Sequence, residues 1–429
     1  MSLPRYLEYK DSGVAWLGEV PRDWDVAPLK RNFRLITDRA TTKRRAVALE
    51  NIEGWSGRYI ETEGEFQGDG TSFEPNDLLF GKLRPYLAKV LLADFPGEAV
   101  GDFHVLRPSR NLCPRFAQYQ MLQREFISVV DGSTFGSKMP RAGWEALGGM
   151  PFVVPAVSEQ EQIAAFLDRE TARIDALIAE QETLLALLAE KRQATISHAV
   201  TRGLDPNVPM KDSGIAWLGE VPAHWNVVLL RRIVSAVETG TTPISGPSVE
   251  AVESGTGWFT PGDFTALDLT ASTKFVAKEH VAGGEVRCFP EGAILVVGIG
   301  ATLGKVGILN APASANQQVN AILIGAGHSA RFFAYSLSAK AEIMKFLSNS
   351  STIGILNQAK TKEIPIAVPP FDEQRRVVDE LDFEVRKFDA ISAEAELAKT
   401  LLRERRSALI SAAVTGQIDV RGLVSGAAA

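Results

Sequence analysis

The sequence is poor in the residues that hold metals. It has only two cysteines, Cys113 and Cys288, and five histidines. The cysteines stand alone and far apart, which excludes a cysteine-rich zinc site and fits a reducing, cytoplasmic compartment; each reads as a buried, inert thiol. His104, His198, His224, His280 and His328 fall at no metal-ligand spacing. No run approaches the roughly 18 apolar residues of a membrane span. The strongest runs, such as Ala293–Gly298, have the length of buried strands. Pro4, Arg5 and Glu8 interrupt the first ten residues, so no signal-peptide pattern is present there.

Catalytic signatures are lacking as well. Gly298-Ile-Gly-Ala-Thr-Leu-Gly-Lys305 invites a phosphate-loop reading, but Ile299 stands where that loop needs glycine and Val306 where it needs serine or threonine. Leu303 likewise breaks the dinucleotide fingerprint, which leaves a glycine-rich strand turn. Val368-Pro-Pro-Phe371 lacks the leading Asn or Asp with which amino-methyltransferases hold a target amine. No triad or acid–base pair stands out, so the chain is read as non-catalytic.

What the sequence does have is a repeat. Lys10-Asp-Ser-Gly-Val-Ala-Trp-Leu-Gly-Glu-Val-Pro21 returns as residues 211–222 with one change, Val14 to Ile215, and Trp24 is matched by Trp225. Downstream, Pro151-Phe-Val-Val-Pro-Ala-Val-Ser-Glu-Gln160 aligns with Pro365-Ile-Ala-Val-Pro-Pro-Phe-Asp-Glu-Gln374. The match continues without a gap to Ala199-Val-Thr201 and Ala413-Val-Thr415. The chain is two tandem copies, roughly 10–205 and 211–419. Between the matching ends, residues 30–150 and 231–364 diverge. One echo survives there: Phe73–Phe80 resembles Phe289–Val296, with Lys89-Val90 falling on Lys305-Val306. Constant ends around variable middles imply one frame that presents two different surfaces.

Each copy ends in a long helical pattern. Glu159–Val200 contains no Pro or Gly, and Ile163, Phe166, Leu167, Ile174, Leu177, Ile178, Leu184, Leu185, Leu188 and Ile196 recur at three- and four-residue spacing. Glu373–Val414 has the same character. Ser158 with Glu161 reads as a capping box, Asp372 as the other cap, and Gly203 and Gly416 as the stops. Each helix would reach about 63 Å, too long for its stripe to go without a partner, and the other copy is the obvious one. Short strand-like runs (Leu78–Phe80, Ala88–Leu92, Ile294–Val297) and helical stretches (Phe116–Val130, Ala330–Leu347) fill the variable segments. The fold class is α+β: two α/β domains related by pseudo-two-fold symmetry, separated by two long antiparallel helices forming a coiled coil. The boundaries are 1–157 and 203–371 for the domains with their linker, 158–202 and 372–416 for the helices, and 417–429 for the tail.

The net charge of −6 hides an uneven distribution. Lys30, Arg31, Arg34, Arg39, Lys43, Arg44 and Arg45 cluster against one acid, Asp38, while the long helices carry much of the acid. A basic face can therefore exist within an acidic total. In Gly81–Lys89 the cations Lys82, Arg84 and Lys89 flank Tyr86 in a strand–turn–strand pattern. Lysine suits phosphates and arginine guanine edges. Ser137, Lys138, Thr352, Asn357, Gln358 and Lys360 lie in or beside polar loops just before the long helices, and such hydroxyls and amides suit phosphates and adenine edges. The candidate DNA contacts are these together with Lys30, Arg31, Arg34, Thr41, Lys43, Arg44, Thr241, Thr260 and Lys305.

The Lys-Asp-Ser-Gly-x-x-Trp-Leu-Gly-x-x-Pro-x-x-Trp signature, the Pro-Pro-x-x-Glu-Gln entry to a long helix and the Ala-Val-Thr exit resemble the specificity subunits of type I restriction-modification systems. The first copy departs in one place, with Pro155-Ala156 in place of Pro-Pro. The resemblance implies two target-recognition domains, each reading half of a split, asymmetric site in double-stranded DNA. It implies paired helices that act as spacer and as docking site for two modification subunits, which bind S-adenosylmethionine and methylate adenine. It also implies restriction subunits driven by ATP, with no cofactor and no membrane association in the chain itself. The alternative class is a coiled-coil adaptor that binds proteins and has no salt-dependent DNA affinity; the Lys30–Arg45 cluster favours DNA.

Overall fold

The computed structural model describes residues 3–39, 44–62, 70–136, 138–244, 246, 255–348 and 354–423. The chain forms two units. One comprises Met1–Glu182 with Glu396–Ala429, the other Thr183–Ala395.

In the first unit, strands β1 (Phe33–Ile36), β2 (Leu78–Gly81), β3 (Val90–Leu92) and β4 (Phe103–Pro108) form an antiparallel sheet in the order β1-β4-β2-β3. Successive side chains of a strand point to opposite faces, and both faces of this sheet are covered. Leu78 and Phe80 enter the core built with helices α1 (Pro114–Met121) and α2 (Arg124–Gly132). Leu79, Leu91 and Val105 enter a second core with Val47, Phe73 and Ala99 of a small three-stranded sheet. The sequence signature folds as a hairpin, Tyr9–Asp11 against Glu19–Pro21. Asp25–Pro28 then pairs with Pro151–Val154, which leads into the long helix α3 (Val157–Arg202).

The second unit repeats this plan. Strands β5 (Val234–Thr239), β6 (Ile294–Val297), β7 (Val306–Leu309) and β8 (Val319–Ile324) run in the order β5-β8-β6-β7, with Asp268–Leu269 added parallel to β7. Helices α4 (Ala330–Ser338), α5 (Ala341–Leu347) and α6 (Phe371–Val414) follow. The hairpin Met210–Asp212/Glu220–Pro222 keeps the register of its counterpart, and Asn226–Leu229 pairs with Pro365–Val368. The divergent middles are thus one fold.

The long helices pair antiparallel within each unit. In the first, Asp175 meets Arg406 at 2.9 Å and Glu182 meets Arg403 at 3.2 Å. In the second, Arg192 faces Asp389 at 3.6 Å, and Ile196 shares a core with Val377 and Leu381.

Four local expectations are corrected. The long helices begin two residues early: the carbonyls of Ala156 and Pro370 accept their first bonds, so Ser158 and Asp372 sit inside the first turn and do not cap it. The stretches expected as single helices are pairs, broken at the joints that carry buried Gln123 and Lys340. Ile163, Phe166, Leu167, Ile174, Leu188 and Ile196 are buried, but Leu177 and Leu184 are exposed, because one antiparallel partner covers a narrower arc than the apolar stripe offers. Cys288 is exposed and Cys113 half-buried. At residue 288 the next side chain, Phe289, takes the core position.

Candidate nucleic-acid interface

Buried glutamines fix the entry to each long helix. Gln160 donates to the carbonyls of Pro155 at 2.8 Å and Asn111 at 3.1 Å, and accepts from the Cys113 amide at 2.7 Å. Gln374 donates to Pro369 at 2.9 Å and accepts from the Ser329 amide at 2.8 Å. A second device repeats nearby. Arg115 and the Tyr119 hydroxyl both reach Asp168, at 2.6 and 2.7 Å. Arg331 and the Tyr335 hydroxyl reach Asp382, at 2.7 and 2.6 Å. Each clamp ties a helix of the α/β layer to a long helix and sets the position of the loops beyond.

In the first unit the clamped frame brings two distant loops together. The turn between β2 and β3 lies against the loop at 134–142. Arg84 donates its amide to the Pro140 carbonyl at 2.8 Å, and Ala142 donates to Lys82 at 2.9 Å. Leu83 bridges Arg141, which in turn bridges Phe135. The surface so made exposes Arg84, Tyr86 and Lys138, with Phe135 65% exposed between backbone bonds that hold it. Beneath it His104 bonds the Ala142 carbonyl at 2.9 Å. Burial, with the Lys82 charge adding, holds its imidazole below the usual histidine pKa.

The second unit uses the same geometry with other side chains. Ile299, in the turn between β6 and β7, bridges Ile355, and Leu356 donates its amide to the Gly298 carbonyl at 2.8 Å. A Cβ at residue 298 would lie 2.7 Å from the Leu356 carbonyl oxygen, so only glycine lets the loops meet. Gly298–Lys305 is thus a turn between antiparallel strands, as its glycines suggested.

The other candidates fall into three groups. Lys30, Arg31 and Arg34 are exposed on the short helix Leu29–Asn32 and on β1, and a Cβ at Gly148 would come within 3.3 Å of the Lys30 Cβ. Several others are tied into the protein. Arg44 pairs with Glu74 at 2.7 Å, and Lys82 lies 3.9 Å from Asp102. Lys89 donates to the Leu49 carbonyl at 2.6 Å and Lys305 to that of Phe264 at 3.1 Å. The Thr241 hydroxyl accepts from the Arg287 amide at 2.9 Å, and Thr260 bonds Asp263 at 2.8 Å. Asn357 caps the helix Gln358–Lys362, Gln358 donates to Thr239 at 3.0 Å, and Lys360 donates to the Ser348 carbonyl at 3.2 Å. Thr41, Lys43, Ser137 and Thr352 lie outside the described residues. Sequence reasoning missed the two clamps. Their signal is an Arg-Phe-x-x-Tyr pattern at 115–119 and again at 331–335.

Among the described residues no helix is long and apolar enough to cross a membrane, and no group of three or more His, Cys, Asp or Glu side chains could hold a metal ion.

Comparison with known proteins shows what such a chain is similar to. Residues 222–398 match the type I restriction modification DNA specificity domain. The chain is 27% identical over 171 residues to the type I restriction enzyme MjaIX specificity subunit of Methanocaldococcus jannaschii, covering 39% of each. It is 23% identical over 219 residues to the EcoDI specificity subunit of Escherichia coli, covering 49% of this chain and 45% of that one. The matching parts span less than half the length of these curated relatives. A chain solved in work on complex assembly and conformational transition of the type I R-M system shares the fold with a TM-score of 0.75 at 18% identity, covering 92% of this chain and 98% of that one. By these comparisons the chain is similar to the specificity subunits of type I restriction-modification systems, the family its repeat resembles.

Proposed function

We propose that the chain recognises DNA sequence for a type I restriction-modification complex, each unit reading one half of a split, asymmetric site. One observation carries this reading. Both units join the same two loops through equivalent backbone bridges, Leu83 with Arg141 and Ile299 with Ile355, while the side chains on those loops differ. A constant frame with exchanged side chains is what two specificities on one scaffold require. Cations and amides on such loops suit base edges and phosphates.

The chain has a recognition role and no catalytic one. The long helices set the distance between half-sites and dock two modification subunits, the adenine methyltransferases, which carry S-adenosylmethionine. Restriction subunits, where they join, use ATP. Exposed Leu177, Leu187, Ile391, Leu397 and Leu401 on the helices supply apolar surface of the kind such docking uses. The complex works in the cytoplasm.

The test is to map methylated adenines in cells carrying the chain with its modification subunit, against cells lacking the chain. A split motif that disappears with the chain is the expected result. An assembled complex with no chain-dependent methylation would turn the reading toward a protein-binding adaptor.

A further inference from the structure

Among the described residues, four other than glycine adopt positive φ: Trp55, Asn76, Arg84 and Ala88, at 65°, 74°, 50° and 47°. Left-handed backbone is unfavourable for an ordinary residue, and it persists only where the surroundings over-determine it. Three of the four form one contact group. Arg84 and Ala88 bracket the Pro85–Leu87 turn that presents Tyr86. The Trp55 amide donates to the Ala88 carbonyl at 3.0 Å. A Cβ at Gly54 would stand 2.3 Å from the Leu87 carbonyl oxygen, and one at Gly57 2.4 Å from that of Val90, so two glycines let this loop press onto the turn.

The loop is held from its other side by a long helix. Arg406 donates to the Trp55 carbonyl at 3.2 Å and pairs with Asp175 on the facing helix at 2.9 Å. The Arg124 guanidinium lies 6.0 Å from the Trp55 ring. A cavity of about 450 Å³ opens beside this arrangement, and the indole, 40% exposed, lines it with Leu122, Ile178 and Ile410. The path from helix to turn is short and consists of directed bonds: Arg406 guanidinium, Trp55 carbonyl, Trp55 amide, Ala88 carbonyl.

We infer that Arg406 is a positioning residue for sequence reading: through Trp55 it holds the Arg84–Ala88 turn of the first unit in its reading conformation. The inference rests on the DNA-reading role proposed above. It also explains why a residue from the far end of the chain closes against a loop of the first α/β layer.

The experiment selects bound duplexes from a randomised DNA pool with the full chain in its complex, comparing wild type, Arg406→Lys, Trp55→Gly and Glu182→Gln. Lysine keeps a cation beside Asp175 but lacks the planar fork needed to serve both acceptors. Trp55→Gly accepts the left-handed backbone without strain, removes the indole and leaves the Arg406–Asp175 pair in place, so it tests the path even if Arg406→Lys does not fold. Glu182→Gln alters a neighbouring helix contact that never touches the turn. Arg406→Lys should weaken preference in one half-site about ten-fold, the loss expected for one charge-assisted hydrogen bond; Trp55→Gly, which keeps the backbone carbonyl and amide of the path, should weaken the same half-site by a smaller factor, and both should leave the other half intact. Glu182→Gln should leave both. If the wild type enriches no split motif, the DNA-reading role itself fails. If the wild type enriches one and the two variants leave both halves sharp, or blur both together, the positioning role is overturned and the reading role stands.

Discussion

Tyr335 donates its hydroxyl hydrogen to Asp382 across 2.6 Å, tying α4 to the second long helix. Arg331 joins them, bridging Asp382 and Asp268. The matching clamp on Asp168 has one arginine contact and is more open to water. Asp382→Asn should therefore destabilise its unit by about 2 kcal/mol and Asp168→Asn by about 1 kcal/mol. Urea unfolding followed by circular dichroism measures both. Equal losses would show that the Asp268 bridge adds nothing.

Lys340 is buried at the joint between α4 and α5, its ammonium bonded to the carbonyl and hydroxyl of Ser336, with the Trp217 ring 5.8 Å away. Burial pushes its ammonium down to about 7. Its unfolded value is about 10.4. Between those values the unfolded chain binds the extra proton, so stability contributed here rises with pH from about 7 and is flat below it. Lys340→Met should raise the melting temperature near pH 6.5 and flatten the rise toward pH 9. Parallel profiles for variant and wild type would count against a buried, strained charge.

Gly203 and Gly416 follow the ends of the two long helices, one position apart in the register of the repeat, both left-handed. A Cβ at Gly416 would fall 2.3 Å from the Pro21 side chain, whereas at Gly203 the nearest atom, in Trp225, is 3.3 Å away. Gly416→Ala should cost about 2 kcal/mol or more and Gly203→Ala about 1 kcal/mol, the part due to backbone alone. Thermal unfolding of the two variants ranks them. The reverse order would mean that the ring of Pro21 yields more easily than the Trp225 indole.

One helical turn inserted near Leu184 lengthens the first long helix, the spacer of the proposed function, by about 6 Å. The tolerated gap between half-sites should grow by about two base pairs, at about 3.4 Å each, with both half-site sequences unchanged. Methylation mapping of the insertion variant reads this out. An unaltered gap would remove the spacer role from the helix.

The repeat, the helices and the strand pairs around Leu78–Phe80 and Ile294–Val297 were all legible, because each depends on periodicity or on identity between copies. The echo of Lys89-Val90 in Lys305-Val306 pointed to equivalent strands, and the sheets agree. What could not be read was which polar side chains bond the protein itself. Lys89 and Lys305 look like free cations until the Leu49 and Phe264 carbonyls, about forty residues away in sequence, close on them. The breaks at Gln123 and Lys340 were hidden for the same reason, since a buried polar joint has no local signature. Trp55 reads as an ordinary loop aromatic. Its role depends on Ala88 and Arg406, which only the fold brings near.

The two signature hairpins share a register, Tyr9 with Pro21 and Met210 with Pro222, and lie outside the reading loops. An exchange of segments at either hairpin would leave its hydrogen bonds intact and carry a whole variable middle with it. The hairpins are thus joints at which one unit's variable middle could be replaced while the hydrogen-bonded frame around it stays the same.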